Sequence, residues 1–344
     1  MTRLRFSQEE LMRSHPYARE HIEAGRRLHG GFDASGDYIP PRCLMRNPAI
    51  AAWTEALRAR GGECLAADSS LLSGLRYPSP EQNKFLLKEG LGLSFWNTLT
   101  ITGKIEARGR LLAEMKFPDF QEFVDEDISE MAIGHLNKGL LIAHGIDEGG
   151  EPDKGIGGHD SMWFALRDLA FGETDFKEPE VPDNIGRAEQ DATRISRIPL
   201  AFERTVYFLL NLLLIEFRAE RGFAMTETML RDPELFTERR EEAEHAADIV
   251  DRIRKDEEIH VTSLRLYLGE LRNVNFKTID GKTIPGCQLV DPLWDEIVHW
   301  AVVEQPLLQA EQQRKMMSER ILSHPDGERI LADFNALEEQ ATRN

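Results

Sequence analysis

Cysteine is scarce in this chain. Its three residues, Cys43, Cys64 and Cys287 among 344, are odd in number and widely spaced, which excludes a disulfide framework or a cysteine zinc site as the organising element and suits a reducing cytoplasm. Long apolar runs are also lacking. The longest, Phe208 to Ile215, ends in Glu216, well short of the ~18 apolar residues of a membrane span, and the N-terminal MTRLRF leads into charge rather than an apolar leader. Positive charge is in deficit, with 42 Lys and Arg against 60 Asp and Glu and a net charge of -18. Nucleic-acid backbones and anionic membranes repel such a chain, so neither is expected as a partner. The glycines around 149–158 follow no strand and match no phosphate-binding spacing, so they read as turns rather than a nucleotide loop.

What is present is helical periodicity. With 41% hydrophobic residues the chain can bury a sizeable core. Residues 239–272 carry an apolar stripe at Ala246, Val250, Ile253, Leu264, Tyr267 and Leu271, and the positions completing it are Glu257 and His260. A buried carboxylate costs several kcal/mol unless compensated, and a neighbouring imidazole supplies only part of the compensation. A metal cation would supply the rest. Glu-x-x-His sets an oxygen and a nitrogen ligand one turn apart on one face, the spacing used in di-metal carboxylate bundles.

Three further long helices are expected. One runs over 80–115 and places Glu106 in a stripe with Phe95, Leu99, Gly109 and Ala113; the next, over 120–143, returns antiparallel with Glu130 at the height of Glu106. His135 follows Glu130 by five residues, about 140° away on a regular helix, so the two share a cation only through a π-bulge. His144 and His159 are the reserve ligands. The third begins near Ile198-Pro199 and is apolar almost all round, with Glu216 on the face of Leu209, Leu212 and Leu213 and Glu220 nearly as well placed. The expected class is therefore all-α: a four-helix bundle over 80–272 with a long crossover at 145–196, an N-terminal helical cover or homodimer contact at 1–79, and a C-terminal part at 273–344. Within 1–79, Ser7 to Glu10 reads as a capping box opening a helix toward Arg27, and His15, His21 and His29 read as solvated or packing residues. Within 273–344, Asp280-Gly281 marks one short β-hairpin followed by two helices.

Asp256-Glu257-Glu258-Ile259-His260, followed by Leu264 and Leu268, resembles the DExxH helix of the ferritin-like di-iron superfamily and is similar to that helix in ribonucleotide reductase small subunits. The resemblance covers about fifteen residues. It implies a bridging role for Glu257, a terminal ligand in His260 and a hydrogen-bonding partner to the ligands in Asp256. With Glu106, Glu130, Glu216 and His135, the set would hold two iron ions or a manganese/iron pair, an oxygen-rich site without thiolate. The activity implied is an oxidoreductase that uses dioxygen and an electron donor to hydroxylate, N-oxygenate or desaturate a small organic substrate. Two alternatives stay open: an iron-storage or peroxide-reducing protein on the same bundle, and a non-catalytic acidic helical binding protein whose buried carboxylates bond to arginines such as Arg204, Arg218, Arg221 or Arg254.

Overall fold

A computed structural model of the chain describes residues 4–73, 77–183, 185–188 and 197–343, with side chains to 338. In chain order its elements are α1 (Gln8–Leu11), β1 (Arg19–Glu23), β2 (Arg26–Phe32), β3 (Tyr38–Ile39), α2 (Cys43–Ala59), α3 (Pro80–Lys88), α4 (Leu93–Gly109), α5 (Leu140–Gly149), α6 (His159–Phe171), α7 (Leu200–Arg231), α8 (Arg240–Asn273), β4 (Asn275–Lys277), β5 (Thr283–Pro285), α9 (Cys287–His299), α10 (Gln305–Leu322) and α11 (Gly327–Arg343). The fold is mostly helical, as its periodicity indicates.

The long pair α7 and α8 lies antiparallel through the core; α6 packs on α4 and α8, and α5 packs on α4. Two apolar clusters fill this assembly. One gathers Phe202 to Phe217 of α7 and Ile259 to Leu271 of α8 with α2 and α9; the other gathers Phe223 to Leu230 of α7 and Ala243 to Ile253 of α8 with α4 and α6. Between them, on both long helices, the apolar pattern is interrupted by Glu216, Asp256 and Glu257. The polar layer is thus clamped between two dry cores.

Three expectations need correction. The N-terminal helix ends at Leu11 although its Ser7–Glu10 capping box forms. Pro16 disfavours helix in the residue before it, and residues 19–39 instead make an antiparallel sheet in the order β1-β2-β3, turning at Ala24 and Gly25 with φ 46° and 75°. The inward positions of β1 are His21 and Glu23, so its alternation carries no apolar signal. The 80–115 helix is two helices. Gly90 adopts φ 78° and the Leu91 N–H returns to the Leu86 carbonyl at 2.9 Å, ending α3.

The third correction matters most. Residues 120–138 form no α-helix: Val124 and Asp125 bridge to Phe276 and Asn275 beside β4, 132–138 is a 3-10 turn, and Gly139 at φ 126° breaks the chain before α5 starts at Leu140. The helix opposite α4 is therefore α5, and it is continued across the loop 150–158 by α6, which forms where a short amphipathic helix is expected over Asp160 to Ala170 but belongs to the helical core rather than to a crossover. Glycines allow that arrangement. A Cβ on Gly109 would meet the Glu148 side chain at 2.6 Å, and one on Gly158 would meet the carbonyls of Asp147 and Glu148, each at 2.6 Å. Strand β2 fixes the loop from outside, with His29 N–H donating to Gly157 O at 2.8 Å and Gly157 N–H to Arg27 O at 2.9 Å. The hairpin β4–β5 forms where Asp280-Gly281 places it, pairing Phe276 with Ile284.

Candidate metal centre

Four carboxylates and three imidazoles meet in the polar layer. Glu106 comes from α4, His144 and Glu148 from α5, His159 from the first residue of α6, Glu216 from α7, and Glu257 and His260 from α8. All are buried. They form two groups whose donor atoms lie within 4.8 Å of one another: Glu106, Glu148, His159 and Glu257 in one, and His144, Glu148, Glu216 and His260 in the other. Glu148 belongs to both. Glu257 also reaches across, with Oε1 3.1 Å from His159 Nδ1 and Oε2 2.8 Å from His260 Nδ1.

Each inward-facing Nδ1 has a carboxylate behind it. His260 Nε2 lies 3.1 Å from Asp147 Oδ2, and His159 Nε2 lies 3.3 Å from Asp256 Oδ2. The partners are crossed: Asp147, next to Glu148, orients the histidine of α8, and Asp256, next to Glu257, orients that of α6. Such an acceptor fixes the tautomer that leaves Nδ1 free as a donor to a cation. Asp147 is itself clamped by Arg42, through Nε at 2.9 Å, and Arg46, at 2.7 Å. Asp256 also accepts from Tyr38 Oη at 2.9 Å and faces His29 Nε2 at 3.1 Å.

The electrostatics are those of an acidic site too dry to ionise freely. Burial, then the charge of Glu148, pushes the Glu106 carboxyl well above its ordinary range; burial, then Glu257, raises Glu216 to about 7. Burial would raise Glu148 as well, but hydrogen bonds from Glu106, His144, His159 and His260 hold it well below the usual range. Glu257, despite burial and the charge of Glu148, is brought down to about 2 by His260 and His159. Burial alone would depress His159 and His260, yet Glu257 and the other carboxylates lift both well above ordinary histidine values. Asp147 overcomes burial through Arg42 and Arg46 and stays ionised.

Comparison of the chain with protein-family models, curated proteins and solved structures gives no match.

The donor set fits a pair of divalent cations on its own evidence. His144 Nε2, His159 Nδ1 and Glu257 Oε1 are buried without a hydrogen bond of acceptable geometry, and all three point into the cluster. They lie at ion-pair distance from one another or from a carboxylate, His144 Nε2 2.9 Å from Glu216 Oε1 and His159 Nδ1 3.1 Å from Glu257 Oε1, an arrangement compatible with donors that share a cation. Four glutamates also balance the charge of two divalent ions. None of the four glutamates is ion-paired with an arginine or lysine among the described residues, so their charge is not answered by Arg204, Arg218, Arg221 or Arg254.

Of the residues singled out in the sequence, Glu106, Glu216, Glu257 and His260 come together here, with Asp256 behind His159. Glu220 is not in either donor group. Glu130 and His135 lie elsewhere. Glu130 sits on an exposed turn, 3.9 Å from Arg5 Nε. His135 is buried against Trp53, and both its nitrogens are used: Nδ1–H donates to Met131 O at 2.7 Å and Nε2 accepts from Phe6 N–H at 3.2 Å. Their places are taken by Glu148 and by the reserve residues His144 and His159, while His29, read as solvated or packing, is buried against Asp256. A signal for Glu148 was there: Asp147-Glu148 repeats the Asp256-Glu257 dipeptide, with His144 four residues before its glutamate where His260 lies three residues after the other.

Proposed function

We propose that this protein is a ferritin-like di-metal oxidoreductase that binds two iron ions, or a manganese/iron pair, and uses dioxygen to hydroxylate, N-oxygenate or desaturate a small organic substrate with electrons from a separate donor. The observation that supports the reading is the convergence of four carboxylates and three imidazoles in two buried donor groups that share Glu148, backed by Asp147 and Asp256. Glu106 and His159 would serve one metal position and His144, Glu216 and His260 the other, with Glu148 and Glu257 between them. When bound, such a pair supplies two-electron redox chemistry toward dioxygen that no side chain can provide.

The residues themselves do the rest. Asp147 and Asp256 hold the Nε2 protons of His260 and His159, keeping the Nδ1 lone pairs turned inward. Arg42 and Arg46 keep Asp147 charged, so that this hydrogen bond persists in a buried setting. Glu106 and Glu216, whose carboxyls hold protons most readily, are the groups placed to accept or release a proton as charge at the site changes. The apolar clusters on either side exclude water, which protects a reactive oxidant from discharge. Among the described residues no helix is long and apolar enough to cross a membrane, in keeping with a small-molecule substrate met in solution and a cytoplasmic setting.

Elemental analysis of protein prepared with iron, followed by oxygen-consumption measurements, tests the reading. About two metals per chain, falling sharply in Glu257→Ala and His260→Ala, are expected, with oxygen uptake that increases when an oxidisable substrate and reductant are added. A folded protein without stoichiometric metal would refute it. Iron-dependent oxygen uptake that no organic substrate increases would favour the iron-storage alternative instead.

A further inference from the structure

On the other side of α7 from the metal centre lies an open groove of about 630 Å³, lined by α3, α7, α10, the turn 69–72, Ala301 and Val302, and Glu338 of α11. Glu216 and Arg218 are two residues apart, about 200° around the helix, so α7 offers its carboxylate to one side and its guanidinium to the other. None of the seven cluster residues lines this groove. Its walls combine two kinds of surface. Leu72, Val302 and Pro306 are apolar, whereas Arg218 and Arg221, one turn apart on α7, bring two positive charges to the same space.

Among the described residues these arginines have no counter-charge. Arg218 bonds only neutral oxygens, Ile185 O at 2.7 Å and the Gln305 side chain, and its guanidinium lies 5.0 Å over the Trp300 ring. Burial, with no carboxylate to offset it, pulls Arg218 down to about 10. Arg221 makes no hydrogen bond or ion pair with any described residue. The one carboxylate in the lining, Glu338, is held by Arg314 at 2.6 Å. In a chain with 18 more acidic than basic side chains, the most buried guanidiniums are matched, Arg42 and Arg46 by Asp147 and Arg252 by Glu23. Half-buried Arg265 and Arg320, like Arg218 and Arg221, have no ion pair among the described residues, but neither lies in this lining beside a second unpaired guanidinium. Two adjacent like charges without an anion repel each other and leave desolvation uncompensated.

From this geometry we infer that the groove is a binding site for an amphipathic organic anion, its head group on Arg218 and Arg221 and its hydrocarbon body along Leu72, Val302 and Pro306. Guanidiniums bind carboxylate and phosphate through charge-assisted, often bidentate hydrogen bonds, and the apolar wall rewards a tail that a bare inorganic anion lacks. The site is separate from the metal centre and needs no metal to form.

Titration calorimetry on the full chain decides the matter, with decanoate and decyl phosphate as anionic probes and decanol as their uncharged counterpart. We expect at least one anionic probe to bind about tenfold or more tightly than decanol, the loss expected for a hydrogen bond to a charged group, with the tighter of the two naming the head group. Arg221→Gln, which breaks no bond among the described residues, should weaken that binding by a similar factor at an unchanged unfolding midpoint; Leu72→Asp should weaken both probes. Arg218→Lys, which keeps the charge, should retain more binding than Arg218→Gln. Equal binding of decanol and the anions, no binding of either anion, or anion binding indifferent to Arg221→Gln would overturn the inference.

Discussion

Glu148 stands in both donor groups and Glu106 and Glu216 in one each, so isosteric substitutions should separate the two metal positions by stoichiometry. Glu106→Gln and Glu216→Gln preserve shape, and each removes one carboxylate donor from one position. Glu148→Gln removes a donor from both. With about two metals per chain in the parent, we expect about one in each of the first two variants and close to none in the third. The same ranking should appear in stability. At free metal about a hundredfold above its Kd, each bound cation stabilises the fold by about 2.7 kcal/mol. Metal loading should therefore raise the urea-unfolding free energy by about 5 kcal/mol in the parent, about half that in the Glu106 and Glu216 variants, and hardly at all in Glu148→Gln. Chelated protein sets the baseline in each case. If Glu148→Gln retained as much metal as Glu216→Gln, or if the single-position variants lost both ions, the shared role read from the geometry would be wrong.

Other consequences can be checked independently. Asp147→Asn should weaken metal binding by about 10–100-fold without removing a ligand, because it disturbs the acceptor behind His260 Nε2; competition against a chelator measures it, and unchanged affinity would remove Asp147 from the site. Glu270, outside the centre, is fully buried, accepts from Ile133 N–H at 2.9 Å, and is raised by burial from 4.5 to about 7. The folded state keeps this proton where the unfolded chain has lost it, so its contribution is present below about pH 4.5 and is lost as pH rises through about 7. Glu270→Gln should abolish that loss and be the more stable by about 3 kcal/mol at pH 8, and parallel pH–stability curves for the two proteins would contradict it. Gly158→Ala drives a Cβ into two carbonyls at 2.6 Å and should cost about 2–3 kcal/mol together with metal binding. Gly155→Ala, at φ 65° in open space, should cost only about 1 kcal/mol and leave metal binding intact; equal effects of the two on thermal unfolding would show that the close approach of α5 and α6 is unimportant.

Local pattern alone determined a good deal here. The apolar stripe of α8 with Glu257 and His260 completing it, the buried face of α7 bearing Glu216, the position of Glu106 among small and apolar residues, and the Asp280-Gly281 hairpin are all carried by periodicities of a few residues, which neighbours along the chain fully specify. Strand β1 was illegible because its inward positions are His21 and Glu23, polar groups buried against Arg252 and the backbone of β2, while the buried Leu28 and Phe32 of β2 are separated by His29-Gly30-Gly31 and show no alternation. Only the tertiary structure decided the second half of the centre. Glu148 and His159 are eleven residues apart and belong to different helices, a relation no helical spacing expresses, and they meet because Gly150 and Gly158 let backbones approach within contact distance, Gly109 leaves room for the Glu148 side chain, and β2 pins the loop between them. Likewise, which aspartate serves which histidine depends on how α5, α6 and α8 cross. Sequence spacing fixes what shares a face of one helix; the pairing of faces from different helices is set by packing across the core.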